Sequence, residues 1–571
     1  MMDFNANLSK LRIEIEKLGV DAILISMHNF FGNFKSEVSG IQYVSGFSGS
    51  NGRAVVSKDR AILSVDGRYQ KQAKEQTNEA LWQVEMYPEF NTTKMVTSIL
   101  SKGQTLAVAY FSATYQSYLS LLKLSKSAGI NIKLIDSYPL PSFEKSESNI
   151  YLINEKHTGE QRKSRINKVK QTLKNGESVI ISDPATVGWF FGVRVPPSED
   201  KCVLPNCVAF IQKEERPILF CDLKLDVMTN DFEFVDISKF EDVIKIQKKS
   251  GVNMDLSRTP TYFPMILQNN DFFVKPQEVD YGKFEAIKND TEIENQKKAA
   301  ELTSLSFIKT LAFAEIVKSS TEIDIAEFFE NDIKRCDNFV SLSFNSISSF
   351  EKSTSFVHYN PKSCGNAIID SDGLFLFDAG AHFNNSTTDM TRVIYRGQNP
   401  DKKLIEIYSI VLKAIIMFSS MKFPDKTKAC YLDSIARFFI WSKGHDYPFG
   451  TGHGVGSFAN VHEHPRISPN SVEEITNNMV ITVEPGIYLE DFGIRLENML
   501  LTKESSKIGF VEFETLNYIP FCEKLIDKSM LSNFELKWIN HYHQKVYDKF
   551  SERFKGDECT LEWLKANTKE I

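Results

Sequence analysis

The chain has 571 residues, of which 42% are hydrophobic, 12% aromatic and 25% charged. This balance excludes disorder as the main state and allows three or four domains at about 150 residues each. With 67 Lys plus Arg against 74 Asp plus Glu, the net charge of -7 gives no electrostatic reason to expect nucleic acid or an anionic membrane as partner.

The N-terminal stretch carries Asp3, Lys10, Arg12, Glu14, Glu16 and Lys17, so it lacks the apolar core of a signal peptide. No uncharged apolar run reaches the ~18 residues of a membrane helix, and a cytoplasmic location is expected. Eight thinly spread cysteines, with Cys202 and Cys207 the only close pair, point to reduced thiols rather than a zinc site.

Residues 1–148 read as an α/β unit. A charged amphipathic helix is expected near 7–18, a strand over Asp21–Ser26, and paired strands over Arg53–Ser57 and Ala61–Val65. Tyr138-Pro-Leu-Pro141 closes this unit. Residues 149–281 follow a second α/β pattern, with a basic helix from Gly159 to Lys174, a strand over Ser178–Ser182, and an apolar run Val203–Ile211 continued by Pro217–Phe220. The two units look like variants of one design, although their residues do not align as a repeat. A third domain, 282–571, opens where Thr291 and Glu294 have capping-box spacing ahead of a helix reaching Val317, and a further helix is expected over Phe534–Phe554.

Six of the ten histidines (His358, His382, His445, His453, His462 and His464) fall between positions 358 and 464 of this third domain, among apolar strands interrupted by acids. The strand Leu374–Gly380 carries Asp378, a carboxylate costly to bury unless it is paired, hydrogen-bonded or bound to metal. Asp389 lies beyond a turn-forming Asn384-Asn385. In a hairpin with an even-length loop, facing residues are an odd number apart, so the separation of 11 puts Asp378 and Asp389 on one face. Like charges there repel unless a cation sits between them.

A second apolar strand, Asn478–Val483, ends in Glu484 and is broken at once by Pro485 and Gly486. Glu497 stands two residues beyond Arg495 and shares its face. All four carboxylates are therefore expected on strands. Between the two pairs, Gly450–Gly456 places four of the 28 glycines around His453. The loop matches neither a dinucleotide fingerprint nor a P-loop, so nucleotide binding is not expected, and Gly46–Gly52 reads as a turn. Four carboxylates and one imidazole make an oxygen-rich donor set suited to two divalent ions of the Mn2+, Co2+ or Zn2+ type, which generate hydroxide at neutral pH. The residues alone read as a dinuclear hydrolase.

In that order and context, Asp378, Asp389, His453, Glu484 and Glu497 resemble the five ligands of the pita-bread metallopeptidases, the family of methionine aminopeptidase, prolidase and aminopeptidase P. Resemblance to the long cytosolic form of aminopeptidase P extends over nearly the whole chain. It includes Val44-Ser-Gly-Phe-Ser-Gly-Ser-Asn-Gly52, Asp66-Gly-Arg-Tyr69, Ala286-Ile-Lys-Asn-Asp-Thr-Glu-Ile293, Phe513–Pro520 and Trp538–His543.

The resemblance implies two related α/β N-terminal domains, 1–148 and 149–281, and a pita-bread catalytic domain with a C-terminal extension, 282–571. It implies two divalent metal ions, Mn2+ ahead of Zn2+ or Co2+. Asp378 would chelate one metal, Asp389 and Glu497 would bridge both, and His453 with Glu484 would complete the other. The implied reaction releases the N-terminal residue from peptides with proline second, by attack of a metal-bridging hydroxide, with Glu484 passing a proton to the leaving nitrogen. His358 and His462 match the family's two active-site histidines outside the ligand set, and Arg495 matches a residue that orients the ligating carboxylates.

Trp441 matches a dimer-interface tryptophan, which implies a homodimer; a core position is the other reading of this residue. Phe449 departs from the family, which usually has a histidine there that contributes to the substrate pocket, and the loop Ser348–Thr354 lacks the usual Gly, Pro and Asn. His382, His445, His464, His541 and His543 are expected to be solvated or structural. The alternatives are a prolidase, which such resemblance makes shorter than this chain, and a non-catalytic peptidase-like binding protein, which would have lost the ligands.

Overall fold

The computed structural model describes residues 3–27, 39–140, 149–198, 201–226 and 228–571. Two units are distinguished: Met1–Ile153, Glu160–Pro196 and Leu204–Tyr281 form one, and Asn154–Gly159, Pro197–Val203 and Gly282–Ile571 form the other. Among the described residues no helix is long and apolar enough to cross a membrane.

The first unit contains two six-stranded sheets. One runs Gln83–Met86, Ala61–Val65, Arg53–Ser57, Ala22–Ser26, Thr105–Ala109, Asn131–Ile135. Alternation along its strands feeds two separate cores, one on each face. Ile23, Ile25, Val56 and Leu63 pack with Leu8, Leu11 and Ile15 of the helix Phe4–Lys17. Ala22, Leu24, Val55 and Ile62 pack with Met95 and Val96 of Thr92–Ile99 and with Leu121 and Leu124 of Tyr115–Ala128. The first helix starts earlier than expected because the Asp3 carboxylate caps it, accepting from the Ala6 N–H at 3.0 Å.

The other sheet runs Glu233–Asp236, Ile218–Cys221, Cys207–Gln212, Glu177–Ile181, Gly251–Met254, Phe273–Pro276. Both sheets visit their strands in the chain order 4-3-2-1-5-6. In both, the outer pairings are parallel and the two pairings that join the first three strands are antiparallel. The common design suspected from sequence is therefore real at the level of topology.

Two local expectations change. The basic helix, expected from Gly159, begins only at Arg162 and runs to Thr172, because Gly159 takes a left-handed φ of 67°. The strand expected from Val203 begins only at Cys207, because Pro205 has no N–H to give a ladder. The closing segment at Tyr138 is described only as far as Leu140; Pro141 lies outside the described residues.

In the second unit the long helix is Asp290–Ile316, and its capping box is Asn289 with Glu292 rather than Thr291 with Glu294. The Asn289 side chain accepts from Glu292 N–H and the Glu292 carboxylate from Asn289 N–H, each at 3.0 Å. The C-terminal helix is Asn533–Phe550, followed by a 3-10 turn over Ser551–Phe554. An antiparallel sheet orders Lys422–Pro424, Phe510–Thr515, Asn498–Glu504, Val480–Val483, Gly452–Gly454, Glu463–Ile467, and a smaller one orders Ile347–Phe350, Gly373–Ala379, Met390–Arg396. The stretch Ser348–Thr354, read from sequence as a loop, is the end of a strand followed by a 3-10 turn.

Candidate metal centre

Two antiparallel strand pairs carry the acidic residues. In the first, Asp378 lies opposite Thr391 and Ala379 opposite Met390, and the same register continues to His382 opposite Thr387 around the turn Asn384-Asn385. This register sets Asp389 against Gly380, two residues from Asp378 and on its face, as the odd spacing requires. Gly380 is obligatory here: a Cβ would lie 1.9 Å from the Thr388 carbonyl oxygen. In the second pair, Val483 lies opposite Asn498, and one step further the register brings Glu484 opposite Glu497.

The expectation of four strand-borne carboxylates is corrected in one respect. Asp378 alone lies inside a strand, whereas Asp389 precedes Met390–Arg396, Glu484 follows Val480–Val483 and Glu497 precedes Asn498–Glu504. Pro485 ends the ladder after Val483. His453 is the middle residue of Gly452–Gly454, and the glycines beside it permit close strand approach. A Cβ on Gly452 would fall 2.0 Å from Thr482 O, and one on Gly454 would fall 1.8 Å from His464 O. The glycine cluster thus serves backbone contact around one imidazole.

Three trios of side chains bring donor atoms within 4.8 Å of one another: Asp378, Asp389 and Glu497; His453, Glu484 and Glu497; and Asp389, His453 and His462. His453 Nε2 stands 3.5 Å from Asp389 Oδ2 and 3.4 Å from Glu484 Oε1. The buried oxygens Asp378 Oδ1 and Glu497 Oε1 accept no hydrogen bond from any of the described residues. Burial first, and then the neighbouring carboxylates, push the Asp389 and Glu497 carboxyls well above the ordinary range. Burial also raises Asp378, opposed by the adjacent Arg495. Packed carboxylates, unused lone pairs and an imidazole fit hard divalent cations.

Further residues orient this cluster. Arg495 donates through Nη2 to Asp378 Oδ2 at 2.5 Å, through Nη1 to the Val357 carbonyl at 3.1 Å and to the Tyr488 hydroxyl, and through Nε to Thr391 Oγ1 at 3.3 Å. Thr391 in turn donates to Glu497 Oε2 at 2.8 Å. Arg495 thus reaches Glu497, the residue it was expected to share a face with, through a hydroxyl. Thr391, Arg392 and Thr482 were not foreseen. Arg392 donates to the Glu497 carbonyl, and Thr482 Oγ1 accepts from the His453 N–H at 3.2 Å. Thr391 had one sequence signal: it lies two residues past Asp389, on the same strand face.

His462 is exposed and its ring lies 4.2 Å from that of His453, edge to face. His358 is half-buried between two pinned neighbours, Val357 held by Arg495 and Tyr359, whose hydroxyl donates to Glu322 Oε2 at 2.6 Å. Phe449 packs against Tyr447 and Tyr488, at centroid distances of 5.0 and 5.8 Å. Trp441 is half-exposed, which removes the core reading. His382 bonds Thr387 Oγ1 at 3.0 Å and the Lys201 carbonyl at 3.1 Å, and His464 bonds Glu473 at 2.7 Å. Buried His543, pushed down to about 4 chiefly by desolvation, accepts from the Phe521 N–H.

Comparison with known proteins adds to this geometry. The model of metallopeptidase family M24 matches residues 294–504, that of the C-terminal region of peptidase M24 matches 509–571, and that of the creatinase/prolidase N-terminal domain matches 7–139. A probable Xaa-Pro aminopeptidase P of Tuber melanosporum is 30% identical, with 100% of each chain covered. Xaa-Pro aminopeptidase 1 of Dictyostelium discoideum is 29% identical over 93% of this chain and 90% of its own. The crystal structure of an X-prolyl aminopeptidase from Caenorhabditis elegans, described as a cytosolic enzyme with a di-nuclear active site, covers 100% of both chains with a TM-score of 0.91 and 25% identity. A prolidase from Pyrococcus horikoshii matches only 63% of this chain, with a TM-score of 0.51 and 23% identity, a likeness of fold.

Proposed function

The chain belongs to the Xaa-Pro aminopeptidase P group of the M24 pita-bread metallopeptidases, and we propose that it releases the N-terminal residue from peptides whose second residue is proline. The observation that carries this reading is the meeting of Asp378, Asp389, His453, Glu484 and Glu497, with two buried oxygens that accept no hydrogen bond from the described residues. Full-length likeness to the worm enzyme favours the aminopeptidase over the shorter prolidases.

These five residues would hold a dinuclear centre, Asp378 serving one ion, His453 with Glu484 the other, and Asp389 with Glu497 the two together, with Mn2+ as the proposed metal. Divalent ions bound there lower the pKa of water toward neutrality and polarise a scissile carbonyl. Proline's imide nitrogen carries no hydrogen and so offers no N–H for recognition. Glu484 has a side chain 20% exposed, against 7% for Asp389 and 9% for Asp378, and so meets substrate most readily. It is the proton shuttle to the leaving nitrogen. His358 and His462 hydrogen-bond the substrate, and Arg495 holds Asp378 in place.

The domain division 1–148, 149–281 and 282–571 is part of this proposal, supported by the repeated strand order of the first unit. A cytoplasmic homodimer is proposed as well. Tyr431, Ile435, Phe438 and Trp441 form an exposed apolar stripe along the helix Ala429–Trp441, which supports an interface through that helix.

The test supplies Mn2+ and compares an Xaa-Pro dipeptide, an Xaa-Pro-Xaa peptide and an Xaa-Ala-Xaa peptide. The longer proline peptide is expected to be cleaved best. Equal cleavage of the alanine peptide would refute the specificity, and preference for the dipeptide would favour a prolidase.

A further inference from the structure

The helix Ala429–Trp441 turns a charged pair inward, opposite its exposed stripe. Asp433 and Arg437 stand one turn apart, with side chains only 0% and 3% exposed, and Arg437 Nε donates to Asp433 Oδ2 at 2.7 Å. The rest of the guanidinium reaches along one segment. Nη1 donates to Asp446 Oδ1 at 2.8 Å and to the Tyr447 carbonyl at 2.7 Å, and Nη2 donates to the Phe449 carbonyl. The charge also lies 3.9 Å over the Tyr447 ring.

Asp433 extends the grip. Its Oδ1 accepts from the Thr451 N–H at 3.2 Å and from the Thr451 hydroxyl at 2.7 Å. That hydroxyl also bonds the Tyr447 hydroxyl at 2.6 Å. The Thr451 carbonyl then accepts the backbone N–H of Glu484 at 2.7 Å. Two residues on from Thr451 stands His453. The pair therefore holds both ends of 446–451 and reaches the Glu484 backbone through Thr451.

A buried ion pair is a poor device for stability, since well-packed apolar residues often serve as well or better. What it supplies here is direction. A planar guanidinium fixes several acceptors in one geometry, which a lysine ammonium cannot reproduce. We propose that Asp433 and Arg437 are positioning residues that hold 446–451 so that His453 and Glu484 meet at ligand distance. This rests on the dinuclear reading above.

The test uses the full chain, Arg437→Lys and Thr451→Val. The second variant removes the hydroxyl link and leaves both charges in place. Four quantities are measured: Mn2+ affinity against a chelating dye, kcat and KM on an Xaa-Pro-Xaa peptide, and the melting temperature without metal. Both variants are expected to bind Mn2+ about 10–100-fold more weakly and to lose kcat in proportion, with KM little changed. Because lysine keeps the charge at 437, the loss expected for Arg437→Lys is a loss of direction rather than of charge. Lower melting temperatures with Mn2+ affinity and kcat at the wild-type level would overturn the proposal. If Arg437→Lys does not fold, Thr451→Val decides alone on the same readouts. Failure of the underlying reading looks different: the unmodified protein itself would bind no Mn2+.

Discussion

The two six-stranded sheets of the first unit share strand order and direction while their residues do not align, whereas the paired strands around Asp378 and Glu484 depend on single side chains at single positions. The difference teaches what each region is built for. In the sheets, alternation of apolar residues between two cores suffices, and many residues meet that need. At the acidic strand ends, buried like charges are unfavourable in themselves and are relieved by protons or by cations held between them.

Substitutions in the two regions should therefore separate activity from stability. The largest effect is expected for Glu484→Ala, which should lower kcat by about 10²–10⁴-fold through loss of the proton shuttle, and further if metal is lost; steady-state kinetics with Mn2+ checks this. Arg495→Ala should come next for stability, since it leaves Asp378 buried beside an empty place. Removing one partner of such a pair costs about 3–5 kcal/mol, measurable by urea unfolding. Asp389→Asn should do the reverse in metal-free protein, raising the melting temperature while abolishing metal-dependent hydrolysis.

The pH dependence sharpens the same contrast. Asp389 and Glu497 have folded pKa values raised above their unfolded ones, so between the two values the folded state keeps protons that the unfolded chain has lost. Stability of the metal-free protein should therefore fall as pH rises through that window. Bound metal replaces those protons, so the gain in melting temperature on adding Mn2+ should grow from pH 5 to pH 8 at about constant ionic strength. The smallest effect is expected in the first sheet. Ile62→Val, at a fully buried position, should cost about 0.5–1.5 kcal/mol and leave kcat unchanged.

Much of this contrast was legible in the sequence. Odd spacing across Asn384-Asn385 predicted the shared face of Asp378 and Asp389, because hairpin register follows from loop length. Scarcity of glycine elsewhere made the run around His453 stand out. Less legible were contacts between residues far apart in the chain. Nothing in the local pattern ties Asp433 to Thr451 or Thr391 to Glu497, since these bonds exist only once strands and helices pack. The capping box missed its position because Asn289/Glu292 and Thr291/Glu294 offer the same spacing two residues apart, and the backbone took the first.

Metal stoichiometry tests the dinuclear site most directly. Titration of metal-free protein with Mn2+, followed by calorimetry and by elemental analysis after desalting, should give about two ions per chain. The same titration of Asp389→Asn should lose most of that binding. Fewer than two ions on the unmodified chain, or two ions retained by the variant, would contradict the dinuclear site assigned to these strand ends.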